Sequence, residues 1–166
     1  MNPAQSPFLA DPSLLRAFEK WSGPISCDET RLLFCQGEVS TGLFILHSGE
    51  AILEMRCCDT GQTVIRFQAP GGSLLGLPAV LTNQPYSLSA TALQGARVSF
   101  ITRSRCLELL QSDTALSLNA LQIMAAETHA ARSQIFSLIC QQQTKVDAQS
   151  PKNGRIESPS RRVTWR

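Results

Sequence analysis

The stretch Ala69–Leu93, APGGSLLGLPAVLTNQPYSLSATAL, holds the residues whose types and order suggest chemistry. Pro70-Gly71-Gly72 opens it, a short apolar turn leads to Gly76-Leu77-Pro78-Ala79, and Asn83-Gln84-Pro85 leads into an alternating run. In that run Tyr86, Leu88, Ala90 and Ala92 share one strand face, with Ser87, Ser89, Thr91 and Leu93 on the other. Glycines and a proline around a very short helix start, followed at once by a strand, leave backbone N–H groups bare. Bare amides of that kind make a cradle for an anion or a small ligand. The candidate ligand-binding residues are therefore Gly76, Leu77, Pro78, Ala79, Tyr86, Ser87, Leu88 and Ser89. The alternative reading is a loop that merely caps one end of a β-barrel.

Catalytic constellations are not evident. No Ser/His/Asp, Cys/His or paired-carboxylate pattern stands out, so no catalytic residues are assigned and no enzyme is expected. The six cysteines (Cys27, Cys35, Cys57, Cys58, Cys106, Cys140) include no CxxC, and only His47 and His129 could assist them, so no metal site is expected. Cys57-Cys58 falls at a strand end beside a hairpin, where one thiol must face outward; it is read as a buried or idle thiol or, alternatively, as a redox sensor. No run approaches the roughly 18 to 20 apolar residues of a membrane span. MNPAQSPFLADP has no basic segment or long apolar run, so it does not read as a secretory signal, and the expected address is cytoplasmic with reduced thiols.

The elements that must position the central stretch follow a clear order. Asp11 as N-cap and Pro12 at the first helical position start a short helix carrying Leu14, Leu15, Phe18 and Trp21, ended by Gly23-Pro24. From Thr30 to Thr102 short strands alternate with turns: Arg31–Cys35, Leu43–His47, Ala51–Cys57, Thr63–Ala69, Tyr86–Leu93 and Ala96–Thr102. Strands at this spacing, joined by Gly-containing turns, indicate an all-β sandwich or barrel. Ser104 then caps a short helix, and Ser112 or Asp113 caps a long one over about 113–142 that contains no Gly or Pro. Leu121, Met124, Thr128, Ala131, Ile135 and Leu138 step by three and four along it. That spacing suggests the seam of a dimer, or alternatively a face packed on the barrel.

The predicted fold class is α+β and mostly β: a double-stranded β-helix (jelly-roll) barrel with a short N-terminal and a long C-terminal helix. The predicted domain spans 11–142, with residues 1–10 disordered and 147–166 a disordered basic tail. The net charge of +2 is unevenly placed. Lys152, Arg155, Arg161, Arg162 and Arg166 against Asp147 and Glu157 give that tail +3, leaving residues 1–146 at −1.

This order of elements resembles the cyclic-nucleotide-binding domain of the Crp/Fnr regulator superfamily. Phe34-Cys35-Gln36-Gly37-Glu38 looks like the family's early turn, and Leu43–Ala51 (LFILHSGEA) is similar to its strand-and-turn signature. Gly72-Ser73-Leu74-Leu75-Gly76-Leu77 falls on the family's Gly-Asp-x-x-Gly-Glu, and Ala79-Val80-Leu81 with Pro85–Ala90 falls on its phosphate-binding cassette. The resemblance implies a barrel that binds a cyclic nucleotide, with a glutamate on the ribose and an arginine on the phosphate. Here those positions are Leu77 and Tyr86. Replacing a charge-assisted arginine contact with a neutral hydroxyl costs on the order of 2–4 kcal/mol, so cyclic AMP is not the expected ligand.

Regulators of the family also place a winged helix-turn-helix after the long helix, for which the residues following Gln142 leave too little chain. The expected function is therefore a non-catalytic sensor or regulatory module with a degenerate cyclic-nucleotide pocket, signalling through a dimerising helix. No cofactor is assigned beyond a possible small-molecule effector. The expected partners are a second copy, an effector metabolite, and DNA only indirectly or weakly through the basic tail, with no membrane. The alternatives are a transcription regulator acting through a full-length partner and a ligand-free dimerisation scaffold.

Overall fold

The computed structural model describes residues 6–149. The elements run α1 (Pro12–Glu19), β1 (Gly23–Ile25), β2 (Arg31–Phe34), β3 (Gly42–Ser48), β4 (Glu50–Arg56), β5 (Thr63–Pro70), β6 (Ser73–Leu75), α2 (Leu77–Thr82), β7 (Ser89–Ala92), β8 (Arg97–Thr102), α3 (Arg103–Ser112) and α4 (Thr114–Gln149). The strands form two four-stranded antiparallel sheets, ordered β1-β8-β3-β6 and β2-β7-β4-β5. This is the expected jelly roll between a short first helix and a long last one.

The apolar pattern of each strand reflects how many of its faces are covered. On β5, Ile65, Phe67 and Ala69 are buried while Val64, Arg66 and Gln68 face outward, the alternation of a sheet covered on one side. On β3 the run Leu43-Phe44-Ile45-Leu46 is buried without alternation. Phe44 and Leu46 belong to the core between the sheets, with Phe34, Leu53, Phe67 and Ala90. Leu43 and Ile45 belong to a second core, where Leu14 and Phe18 of α1, Cys106 and Leu110 of α3, and Leu116 and Ile123 of α4 cover the outer face of the first sheet.

Several expectations are corrected. Residues 6–10 of the segment expected to be disordered run along β6, with Leu9 bridging Ser73, and Phe8 is buried with its ring edge-on to Phe67 at 5.5 Å. The burial of that aromatic side chain offsets the entropy of ordering residues 6–10. Helix α1 ends at Glu19 with Lys20 as its cap, ahead of the expected stop at Gly23-Pro24, which instead begins β1, an edge strand where proline's missing N–H is tolerated. Trp21 leaves the helical stripe and lies 53% exposed, with the Arg105 guanidinium 4.3 Å from its ring centre.

Ser73–Leu75 is a strand rather than a turn, and β7 covers only Ser89–Ala92 of the strand expected from Tyr86. The N-cap of α3 is Thr102 rather than Ser104. Asp113 caps α4, its Oδ1 accepting from the Ala115 and Leu116 amides at 2.8 and 3.3 Å. Helix α4 continues to Gln149, past the expected end near Gln142 and into the expected tail. The remainder of that tail, residues 150–166, lies outside the described residues. Among the described residues no helix is long and apolar enough to cross a membrane.

Candidate functional site

Six of the eight candidate ligand residues come together around one small cavity. Gly76, Pro78, Ala79, Tyr86, Ser87 and Leu88 line it, with Phe8, Phe34, Leu53 and Glu127 completing the wall. Leu77 and Ser89 are not part of it. Leu77 is fully buried in the second core because the first turn of α2 directs it toward the helices. Ser89 serves the neighbouring turn, its Oγ accepting from the Gln36 amide at 2.9 Å.

Tyr86 occupies the centre of this site. Its ring stacks on Phe34 with centroids 4.0 Å apart and planes 20° from parallel. Its hydroxyl donates to the Gly42 carbonyl at 2.6 Å, so the buried phenol is satisfied within the protein. Its backbone is tied to the early turn, with its amide donating to Glu38 O at 2.9 Å and its carbonyl accepting from Gly37 N at 2.8 Å. A Cβ on Gly76 would stand 2.7 Å from Tyr86 Cε1, and Gly76 has φ +91, so close approach and backbone conformation both require glycine there. The room left is about 20 Å³, the space of one water molecule.

The expected amide cradle is also reduced. Helix α2 has six residues, Pro78 brings no N–H to its first turn, and its N-cap Gly76 has no side chain to contribute.

Glu127 was not among the residues picked out in the sequence. It lies on α4 where Leu116, Ala120, Ile123 and Ala130 set the face turned to the barrel. A charged residue in register with that stripe was the available signal. Its Oε1 is buried with no hydrogen-bond partner, and burial pushes its carboxyl up to about 8. No basic side chain lines the cavity to stabilise the anion.

Helix α4 is apolar on two opposite sides. One side carries Leu116, Ala120 and Ile123 onto the helical core, with Met124 half-buried beside them and Leu138 half-buried against the barrel. The other side carries Leu118, Leu121, Ile135, Phe136 and Ile139, all exposed, Leu121 by 61% and Phe136 by 69%. The expected seam is thus split: Leu121, Thr128 and Ile135 face outward, while Met124, Ala131 and Leu138 are partly covered. The Thr128 hydroxyl bonds back to Met124 O at 2.8 Å, which lets a threonine stand in an apolar stripe.

Elsewhere His47 Nε2 lies 2.7 Å from Ser99 Oγ, which accepts from Ser22 Oγ at 2.8 Å, and Glu19 lies 3.9 Å from the histidine's Nδ1. Ser99 is buried in β8 between β1 and β3, so this relay satisfies an internal hydroxyl. Cys57 is half-exposed, its thiol lowered by hydrogen bonds from the Thr60 side chain and the Thr60 and Asp59 backbone, whereas burial pushes Cys106 up to about 12. Among the described residues no group of three or more His, Cys, Asp or Glu could hold a metal.

Residues 25–113 match the family model of the cyclic nucleotide-binding domain. The chain belongs to that family. Three solved structures show a similar fold. The catabolite activator protein of Thermus thermophilus superimposes with a TM-score of 0.65 at 19% identity, over 77% of this chain and 60% of that one. The sensor domain of the transcriptional regulator DNR from Pseudomonas aeruginosa gives a TM-score of 0.57 at 21% identity, over 74% and 82%. Oxidized CprK in complex with o-chlorophenolacetic acid gives 0.64 at 17%, over 80% and 53%. The chain thus spans about 60% of the length of the Thermus protein. No curated protein sequence matches it. Membership of the domain family rests on the matched model, and the solved structures share its fold.

Proposed function

We propose that this chain is a non-catalytic regulatory module whose pocket no longer takes a cyclic nucleotide and whose output runs through pairing of α4 with a second copy. The observation that carries the reading is Tyr86, stacked on Phe34 and bonded to Gly42 at the wall of the small cavity. About 20 Å³ remains there, against roughly 300–1,000 Å³ for a pocket that holds a ligand of nucleotide size. The cassette arginine that would hold a phosphate anion is absent, and no basic side chain lines the cavity in its place. The CprK complex is a relative of this fold described with a ligand that is not a nucleotide, which supports separating the fold from that chemistry.

The helical half of the proposal rests on Leu118, Leu121, Ile135 and Ile139. They fall on one open face at the three-and-four spacing that a partner helix buries. A regulator working on DNA through a longer partner is the second reading. It is favoured by relatives described as regulators and by the 60% span of the Thermus protein.

The test is sedimentation equilibrium of the full chain beside Leu121→Asp/Ile135→Asp, with melting curves in 1 mM cyclic AMP or cyclic GMP. The expected result is a dimer that the double variant converts to monomer and a Tm that neither nucleotide moves. A wild-type monomer, or a saturable nucleotide shift, would refute the corresponding half.

A further inference from the structure

Tyr86, Phe34 and Phe8 present aromatic surface to the same small cavity into which the side chain of Glu127 is buried. The remaining wall is apolar apart from the Ser87 hydroxyl, and Ser87 is exposed, so the cavity reaches the surface there. The Glu127 oxygen with no partner is an acceptor waiting for a donor, because a buried polar atom left unpaired is costly. A carboxyl lined by the aromatic side chains Phe8, Phe34 and Tyr86, with no basic residue among them, forms an environment that favours a cation. The room of about 20 Å³ suits a primary ammonium head and excludes a bulky quaternary one.

We propose that this cavity is a site for the head group of a primary ammonium compound, held by the Glu127 carboxylate among Phe8, Phe34 and Tyr86, with the ligand's tail leaving past Ser87. The inference rests on the reading that the pocket has left cyclic nucleotides behind, and it names what replaces them. Entry of the ammonium supplies the missing donor and the missing counter-charge together, so the carboxyl binds it as the anion and releases its proton. Because Glu127 belongs to α4, occupancy acts directly on the helix that carries the open apolar face.

The experiment titrates the full chain with n-butylammonium chloride against sodium chloride at equal ionic strength. Tetramethylammonium and cyclic AMP serve as comparison ligands, and calorimetry and thermal shift are read at pH 6 and pH 8. With the carboxyl near 8, the ionised fraction and hence the apparent affinity should rise about fifty-fold between those pH values. Glu127→Gln, which mimics the protonated acid, should fold and lose the saturable response. The proposal is overturned if butylammonium gives no saturable signal at pH 8, if Glu127→Gln keeps it, or if tetramethylammonium binds equally well. Silence from both butylammonium and cyclic AMP removes this inference alone, whereas a cyclic AMP response removes the reading beneath it.

Discussion

Replacing Glu127 with glutamine should make the protein more stable at alkaline pH and flatten its pH profile. Burial raises the carboxyl from 4.5 to about 8, with no hydrogen bond or cation to offset the cost. Between those values the folded state holds a proton that the unfolded chain has released. The folded state then binds more protons, so unfolding free energy falls as pH rises through that window. At 1.36 kcal/mol per unit, the shift sets a ceiling of about 5 kcal/mol lost between pH 4.5 and pH 8.

Glutamine carries no titrating proton, so the two proteins should be close in stability at pH 5. By pH 8.5 the variant should lead by about 3–5 kcal/mol, which for a domain of this size is roughly 10 °C in Tm. Urea unfolding of both proteins at pH 5, 6.5 and 8.5 gives the comparison directly. Parallel profiles, or a wild type that gains stability between pH 5 and 8.5 relative to the variant, would show that Glu127 is solvated or paired.

Three further outcomes follow from the same geometry. Gly76→Ala must place a methyl 2.7 Å from the Tyr86 ring at φ +91, and should cost about 2–4 kcal/mol in a denaturant titration. A neutral result would mean that the ring moves freely. Tyr86→Phe keeps the stack on Phe34 but leaves the Gly42 carbonyl without its donor, a loss of about 1–2 kcal/mol by the same assay. At pH 7.5 iodoacetamide should alkylate Cys57 well ahead of Cys106, since one thiol is half-exposed and lowered by its turn and the other is buried and raised; peptide mass spectrometry reads the order.

Much of the architecture was legible because turn chemistry and periodicity agree along the chain. The glycines at 37, 49, 61, 72 and 95 all adopt positive φ where the turns were placed, and Asp11, Pro12 and Asp113 mark helix starts as their chemistry requires. The missed pieces share a cause. Phe8, β1 and β6 are short segments ordered by long-range pairing, with Leu9 on Ser73, Pro24 on Ser99 and Leu74 on Ile45, and no local period records such contacts.

The site was half legible. Glycine and proline positions located it, but the direction of each side chain depends on which core lies nearer, and Leu77 and Ser89 turned elsewhere. Glu127 was hidden because the residues that enclose it are distant in sequence, and only its register with Leu116, Ala120 and Ile123 could have exposed it. The seam on α4 blurred because two apolar stripes on opposite sides of one helix overlap in a linear reading.

The central claim is that Tyr86 fills the place of the nucleotide. Isothermal titration of the full chain with cyclic AMP, in the micromolar to millimolar range, tests it most directly. Heats indistinguishable from dilution up to 1 mM are expected. A saturable isotherm with a Kd in the micromolar range would contradict the account.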